Sequence, residues 1–191
     1  MKTVVRWIGA VIGLLVFVLI VAIAIGTGLP IAHIASCSAQ YRQSPATLFA
    51  TVEDDASSPS WRSDVREVHS ETATVGRTRW VETYKNGQTL TYLEFGDRNI
   101  SGKYLERDIA DPTLPFGGGW KYRFDPSGGG TVVTIREAGW IYNPMFRFVE
   151  QFFTGYTSTI KTYLTDLGRK YGESPAITCT VTTYANRPED M

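Results

Sequence analysis

The stretch from Asn143 to Gly172, NPMFRFVEQFFTGYTSTIKTYLTDLGRKYG, decides how the rest of the chain must fold. Asn143 followed by Pro144 is a helix start, an N-cap with proline at the first helical position. Apolar residues then recur at Met145, Phe148, Val149, Phe152, Tyr156, Ile160, Tyr163, Leu164 and Leu167. Spacings of three and four put them on one helical face. Gly172 marks the stop. The pattern predicts one long C-terminal helix with a greasy face. Such a face must be buried, and a curved antiparallel sheet supplies the surface that buries it.

The sheet is legible upstream, where the period changes from helical to two. Val65 to Thr74 and Thr78 to Lys85 read as strands. Asn86-Gly87 joins the second of these to Gln88–Phe95, because both residues tolerate the positive φ of a type I′ hairpin turn. Ser101 to Ala110 follows. Gly117 to Phe124, the glycines 128–130 and Thr131 to Trp140 make a last hairpin. Ser38 to Gln43 is an earlier strand, the seventh in the count. Ser44-Pro45 then opens a short helix with Leu48, Phe49 and Val52 as its inner face. The tail, 173–191, contains a further strand candidate at Ala176–Tyr184.

The order of these elements resembles the helix-grip fold, and local sequence agrees. Ile109-Ala110-Asp111-Pro112, Leu114-Pro115-Phe116-Gly117-Gly118, Trp120-Lys121-Tyr122, Gly128-Gly129-Gly130-Thr131-Val132-Val133-Thr134-Ile135 and Ile141-Tyr142-Asn143-Pro144-Met145-Phe146-Arg147-Phe148 are similar to a membrane-anchored branch of the START-like (SRPBCC) superfamily. That group is described as polyketide cyclase/dehydrase and lipid-transport-like. Ser44-Pro45-Ala46-Thr47-Leu48-Phe49 and Trp61-Arg62-Ser63-Asp64-Val65 are similar to its early segment. The resemblance covers residues 38–172. It implies an α+β fold in which a curved seven-stranded antiparallel sheet wraps a long C-terminal helix. It says little about function, since the superfamily hosts binders and cyclases alike.

Ahead of this domain, Ile8 to Leu29 is a run of 22 residues without a charge. At about 1.5 Å per residue it reaches roughly 33 Å, enough for a hydrocarbon core of about 30 Å. We read 1–30 as a single-pass transmembrane anchor, 31–37 as a linker, 38–172 as the domain and 173–191 as a tail. Lys2 and Arg6 precede the run and only Arg42 follows closely, which places the N-terminus in the cytoplasm and the domain outside it. Ile34-Ala35-Ser36-Cys37 also resembles a bacterial lipobox, although Pro30 and His33 separate it from the apolar run. The two cysteines, Cys37 and Cys179, read most simply as unpaired thiols. An extracytoplasmic domain would equally allow them to form a disulfide tying the start of the domain to its tail.

Composition narrows the function classes. The 191 residues carry 19 basic and 19 acidic side chains, with 43% apolar and 13% aromatic residues. No net positive charge exists to collect phosphates, so nucleic-acid binding is not expected. Only two histidines are present. His33 sits beside the membrane segment and His69 stands alone in a strand, so neither a Ser-His-Asp triad nor a His/Cys metal site has the residues it needs. The glycine triplets lack the P-loop lysine and read as turns. No metal and no cofactor are expected.

Strand parity then picks out a candidate site. Glu82 lies between Trp80 and Tyr84, Glu94 follows Leu90 and Tyr92, Arg107 lies between Leu105 and Ile109, and Glu137 follows Val133 and Ile135. Four charges thus fall on apolar faces. Unpaired and buried they would be strongly destabilising, so Arg107 is expected to pair with one or more of the glutamates. The alternative is that these positions lie at strand ends or behind a bulge. With Trp120, Tyr122 and Trp140 from the strands, and Phe153 and Tyr156 from the helix, they outline a mostly aromatic pocket with a polar spot. Trp61, Trp140 and Tyr142 fall at element ends, where they read either as a pocket mouth or as ordinary edge packing. Leu114–Gly119 reads either as a mobile gate or as a tight turn. The pocket suits a hydrophobic or lipid-like small molecule. Two other readings stay open: a cyclase or dehydratase working through Glu, Arg and Tyr, and an interaction protein whose cavity is filled by its own side chains.

Overall fold

A computed structural model of the chain describes residues 2–71 and 77–188. The helix α1 (Lys2–Gly28) leads into β1 (Ala32–Tyr41), α2 (Pro45–Glu53) and a 3-10 turn at Asp55–Ser60. Five strands follow before the last hairpin closes: β2 (Val65–Glu71), β3 (Arg77–Tyr84), β4 (Thr89–Phe95), β5 (Tyr104–Ile109) and β6 (Phe116–Ser127). Next come β7 (Gly130–Ile141), α3 (Pro144–Val149), a π-helical turn (Glu150–Thr154), α4 (Ser158–Lys170) and β8 (Ile177–Tyr184). Among the described residues, eight strands form one antiparallel sheet in the order β2-β3-β4-β5-β6-β7-β1-β8. The tail strand β8 is the eighth, paired outside β1.

Several expectations are corrected. Residues 32–37, read as a linker, belong to β1 and pair with both β7 and β8. Their alternation is real, Ala35-Cys37-Ala39-Tyr41 facing the core, but small residues hid it. Residues 72–74 of the first upstream strand lie outside the described residues. In the β3–β4 hairpin only Gly87 takes a positive φ, at 87°, so the turn is not type I′. Asn86 instead accepts the Gln88 N–H through its side chain at 2.9 Å. The two cysteines are not free thiols: Cys37 and Cys179 sit opposite each other across β1 and β8 and are bonded.

The long helix is interrupted. Asn143 caps α3 by accepting the N–H groups of Met145 and Phe146. The ladder then widens, the Gly155 N–H reaching back to the Glu150 carbonyl at 2.7 Å. Gly155 takes φ 75°, which ends the helix. Apolar spacing continued smoothly across this point, but it records which face is buried, not whether the backbone ladder is continuous.

Of the two helical pieces, α4 is the one that enters the core. Ile160, Tyr163, Leu164 and Leu167 pack with Leu48, Phe49 and Val52 of α2 and with Leu105, Phe124, Val133 and Ile135 of the strands. Tyr41 donates to the Leu164 carbonyl at 2.7 Å. The buried Asp166 takes the Ser63 N–H at 2.5 Å and faces Arg169 at 2.7 Å. Meanwhile α3 packs against the end of α1. A Cβ at Gly26 would fall on the Pro144 backbone, so this crossing needs glycine.

Candidate functional site

The core fills one end of the sheet's inner surface, and a cavity of about 1010 Å³ occupies the other. Register shows which end. β6 and β7 pair from Phe116↔Ile141 to Ser127↔Gly130. The cavity takes the Phe116 end, with Trp120, Trp140 and Glu137, while Phe124 and Val133 toward the Ser127 end belong to the core. Leu90, Tyr92 and Ile109 line the facing wall, and Phe146 and Val149 of α3 line the side.

Three polar clusters sit in this apolar shell. In the first, Arg62 pairs with Glu82 and with Asp64, the latter at 3.0 Å. Tyr84 donates to the second Glu82 oxygen at 2.9 Å. The Arg62 guanidinium also lies 5.1 Å from the Tyr163 ring, a cation–π distance. Burial raises the Glu82 carboxyl above its usual range even though Arg62 opposes that. Burial works against the Arg62 charge too, but Glu82, Tyr84 and Asp64 more than restore it.

In the second cluster Arg107 is wholly enclosed. Its Nη2 meets Asp55 at 2.8 Å, Glu94 at 3.3 Å and the Val52 carbonyl at 2.6 Å. The rings of Tyr92 and Tyr122 flank it at 5.5 and 5.3 Å. Two carboxyls share one guanidinium. Burial pushes Asp55 well up, Arg107 pulls it down, and the neighbouring Glu94 adds to the rise. Asp55 is thus held well above the ordinary carboxylate range, chiefly by burial.

In the third, Glu137 accepts the Trp120 indole N–H at 2.7 Å and meets His33 Nε2 at 3.1 Å. His33 is buried, and Tyr156 covers its ring at 4.3 Å. Gly139 leaves the space for that imidazole.

The expected site residues thus divide. Glu82, Tyr92, Arg107, Trp120, Tyr122, Glu137 and Trp140 all line the cavity. Glu94 does not; it stands behind Arg107 as its partner. Tyr156 packs on His33 outside the lining. Phe153 points away, with 75% of its surface exposed, because the π-helical turn rotates it off the inner face. Arg107 pairs with Glu94 as expected, but Glu82 and Glu137 take other partners. Trp61 is core, edge-on to Tyr163, and Tyr142 is exposed. Phe116–Gly119 is no free loop but the start of β6, laddered to β7. Gly117 there makes room for the Trp140 indole.

Sequence reading missed Asp55, Arg62, Tyr84 and His33. Asp55 and Arg62 sit in the connection before β2, where no periodicity applies. His33 was set aside as a membrane-flanking residue, and only its place in β1 opposite Gly139 brings it to Glu137.

The fold and this cavity together define a class. The chain has the START-like helix-grip fold. It superposes on a START superfamily protein from Mycobacterium smegmatis with a TM-score of 0.56 and 12% identity, over 72% of this chain and 96% of that one. It matches the Zhui aromatase/cyclase from Streptomyces sp. R1128 at 0.57 and 8%, over 74% and 99%. It matches the di-domain ARO/CYC StfQ from the steffimycin biosynthetic pathway at 0.56 and 12%, over 72% and 49%, so that it spans about half of that chain. No family profile and no curated protein matches the sequence.

Proposed function

We propose that this chain is a membrane-tethered, non-catalytic binding module for a hydrophobic or lipid-like small molecule. The carrying observation is the cavity: about 1010 Å³, walled largely by aromatic and aliphatic side chains. Removing apolar ligand surface from water there is favourable by roughly 25 cal/mol per Å². Its open volume speaks for a bound molecule over an interior filled by the chain's own side chains. The two arginines on the cavity wall are each already opposed by two carboxyl groups, Arg62 by Glu82 and Asp64, Arg107 by Asp55 and Glu94. Lys85 also lines the cavity, beside Tyr84. A hydroxyl or carbonyl can bond to Tyr84, Glu137 or His33.

Tethering is supported by α1. Arg6–Gly28 is long and apolar enough to cross a membrane. The packing of α3 on its last turns favours retention of the segment over removal as a signal. The disulfide supports both an oxidising, extracytoplasmic location and an unlipidated Cys37.

Native mass spectrometry and lipid extraction of the full chain test the reading. A hydrophobic small molecule is expected at near one per chain, and Ile109→Trp, which fills the cavity wall, should lower its recovery several-fold. Empty wild-type protein from repeated preparations would overturn it.

A second reading, a cyclase or dehydratase, is favoured by the His33–Glu137 contact on the cavity wall, an acid–base pair in reach of a bound ligand. Glu137→Gln would then abolish turnover of a polyketide-like substrate while leaving it bound.

A further inference from the structure

The cavity and the end of α1 meet at one place, the segment formed by α3 and the π-helical turn. Ala22 is 5% exposed, and it and Gly26 are the buried positions of α1 among its described side chains. They lie four apart, on one face, and α3 packs against this helix end. Small residues at that spacing let two helices approach closely. Arg147 donates to the Leu29 carbonyl at 3.0 Å, which fixes α3 to the chain just after the helix. Since α1 is apolar through Gly28, α3 lies level with the last turns of the apolar run.

The same segment has two further faces. Phe146 and Val149 reach the cavity, as do Glu150 and Thr154 of the π-helical turn. Phe152 and Phe153 face outward, 56% and 75% exposed, with only one edge of each ring against Phe148 among the described residues. Strand direction puts the cavity at this level too. β1 starts at Ala32, directly after α1, and pairs Ala32 with Trp140. The 12 residues of β6 place the Ser127 hairpin at the far end, about 40 Å away at 3.3 Å per residue. The cavity therefore lies at the end of the sheet nearest α1, and the filled core lies away from it.

We infer that α3 and the π-helical turn lie in the interfacial layer of the bilayer that α1 crosses, with Phe152 and Phe153 inserted, and form the door through which ligand passes between bilayer and cavity. The occupant of the exposed Phe152–Phe153 face is lipid. Aromatic side chains suit this layer. The widened π-helical turn and Gly155, at φ 75°, are the hinge points that let the door move without disturbing α4. This rests on α1 being a retained membrane span.

The test uses the full chain in phosphatidylcholine vesicles. Both native cysteines are bonded, so a single new cysteine takes an environment-sensitive dye without competition. Dye on Phe153→Cys should shift to the blue and be quenched by lipids doxyl-labelled near the headgroup. Dye on Ser127→Cys should show neither. With a pyrene-labelled diacylglycerol as probe, Phe152→Ser/Phe153→Ser should slow exchange between vesicles and cavity at least about tenfold and leave the final occupancy unchanged. Protein that floats with the vesicles while the dye at 153 stays aqueous overturns the door and leaves the anchor intact. Exchange at the wild-type rate in the double variant overturns it as well. Protein that does not float overturns the anchor, and the door with it.

Discussion

His33 and Glu137 meet on the cavity wall at 3.1 Å, although 104 residues separate them in the chain. Antiparallel pairing of β1 with β7 makes the contact, setting Ala35 against Glu137 and His33 against Gly139. The Trp120 indole shares the same carboxylate.

Glu137→Ala should therefore strand two donors at once. We expect a loss of about 1–3 kcal/mol, and a smaller one for Glu137→Gln, which still accepts from the indole. Thermal melting of the full chain in detergent reads both. Equal melting temperatures for Ala and Gln would show that the acceptor does not matter.

Arg107 holds Asp55 and Glu94 together in the buried interior. Arg107→Met leaves those carboxyls facing each other and should destabilise by roughly 3–5 kcal/mol. A comparable change at exposed Arg123, whose partner Asp125 is on the surface, should shift stability by less than about 1 kcal/mol. Chemical denaturation midpoints distinguish the two, and similar midpoints would contradict the burial of Arg107.

Asp55 sets a pH dependence. Its folded carboxyl is raised above the ordinary value of 3.8, first by burial and then, against Arg107, by Glu94. A raised acid favours the protonated fold. Its contribution is complete below the unfolded value and declines as pH rises through the folded one. Glu82, raised mainly by burial, acts in the same direction. Stability plotted against pH from 4 upward should thus carry a falling component that Asp55→Asn removes. A variant with the same slope as wild type would take Asp55 out of that role.

The Cys37–Cys179 bond closes a loop of 142 residues and ties β8 to β1. Reduction, or Cys37→Ser with Cys179→Ser, should lower stability by about 2–5 kcal/mol. Alkylation before reduction should label neither cysteine, and afterwards both. Labelling of the unreduced, folded chain would mean the thiols are free.

The strands from β3 to β7 were legible because alternation of apolar and polar residues is local information. The apolar run that became α1 was legible for the same reason, and so were both Asn or Ser plus Pro helix starts. Parity even put Glu82, Arg107 and Glu137 on the inner surface, since a side chain's face follows from its place in the strand. Partners were another matter. That Glu82 meets Arg62, that Arg107 meets Asp55 and that Glu137 meets His33 depends on register between strands and on where an irregular connection runs, and neither has a period to read. The break at Gly155 was likewise hidden, because the apolar stripe runs on across it. It is the folded chain that turns Phe153 outward, brings α3 onto α1 and leaves the hollow open. Those outcomes come from packing between distant segments, which no window of neighbouring residues contains.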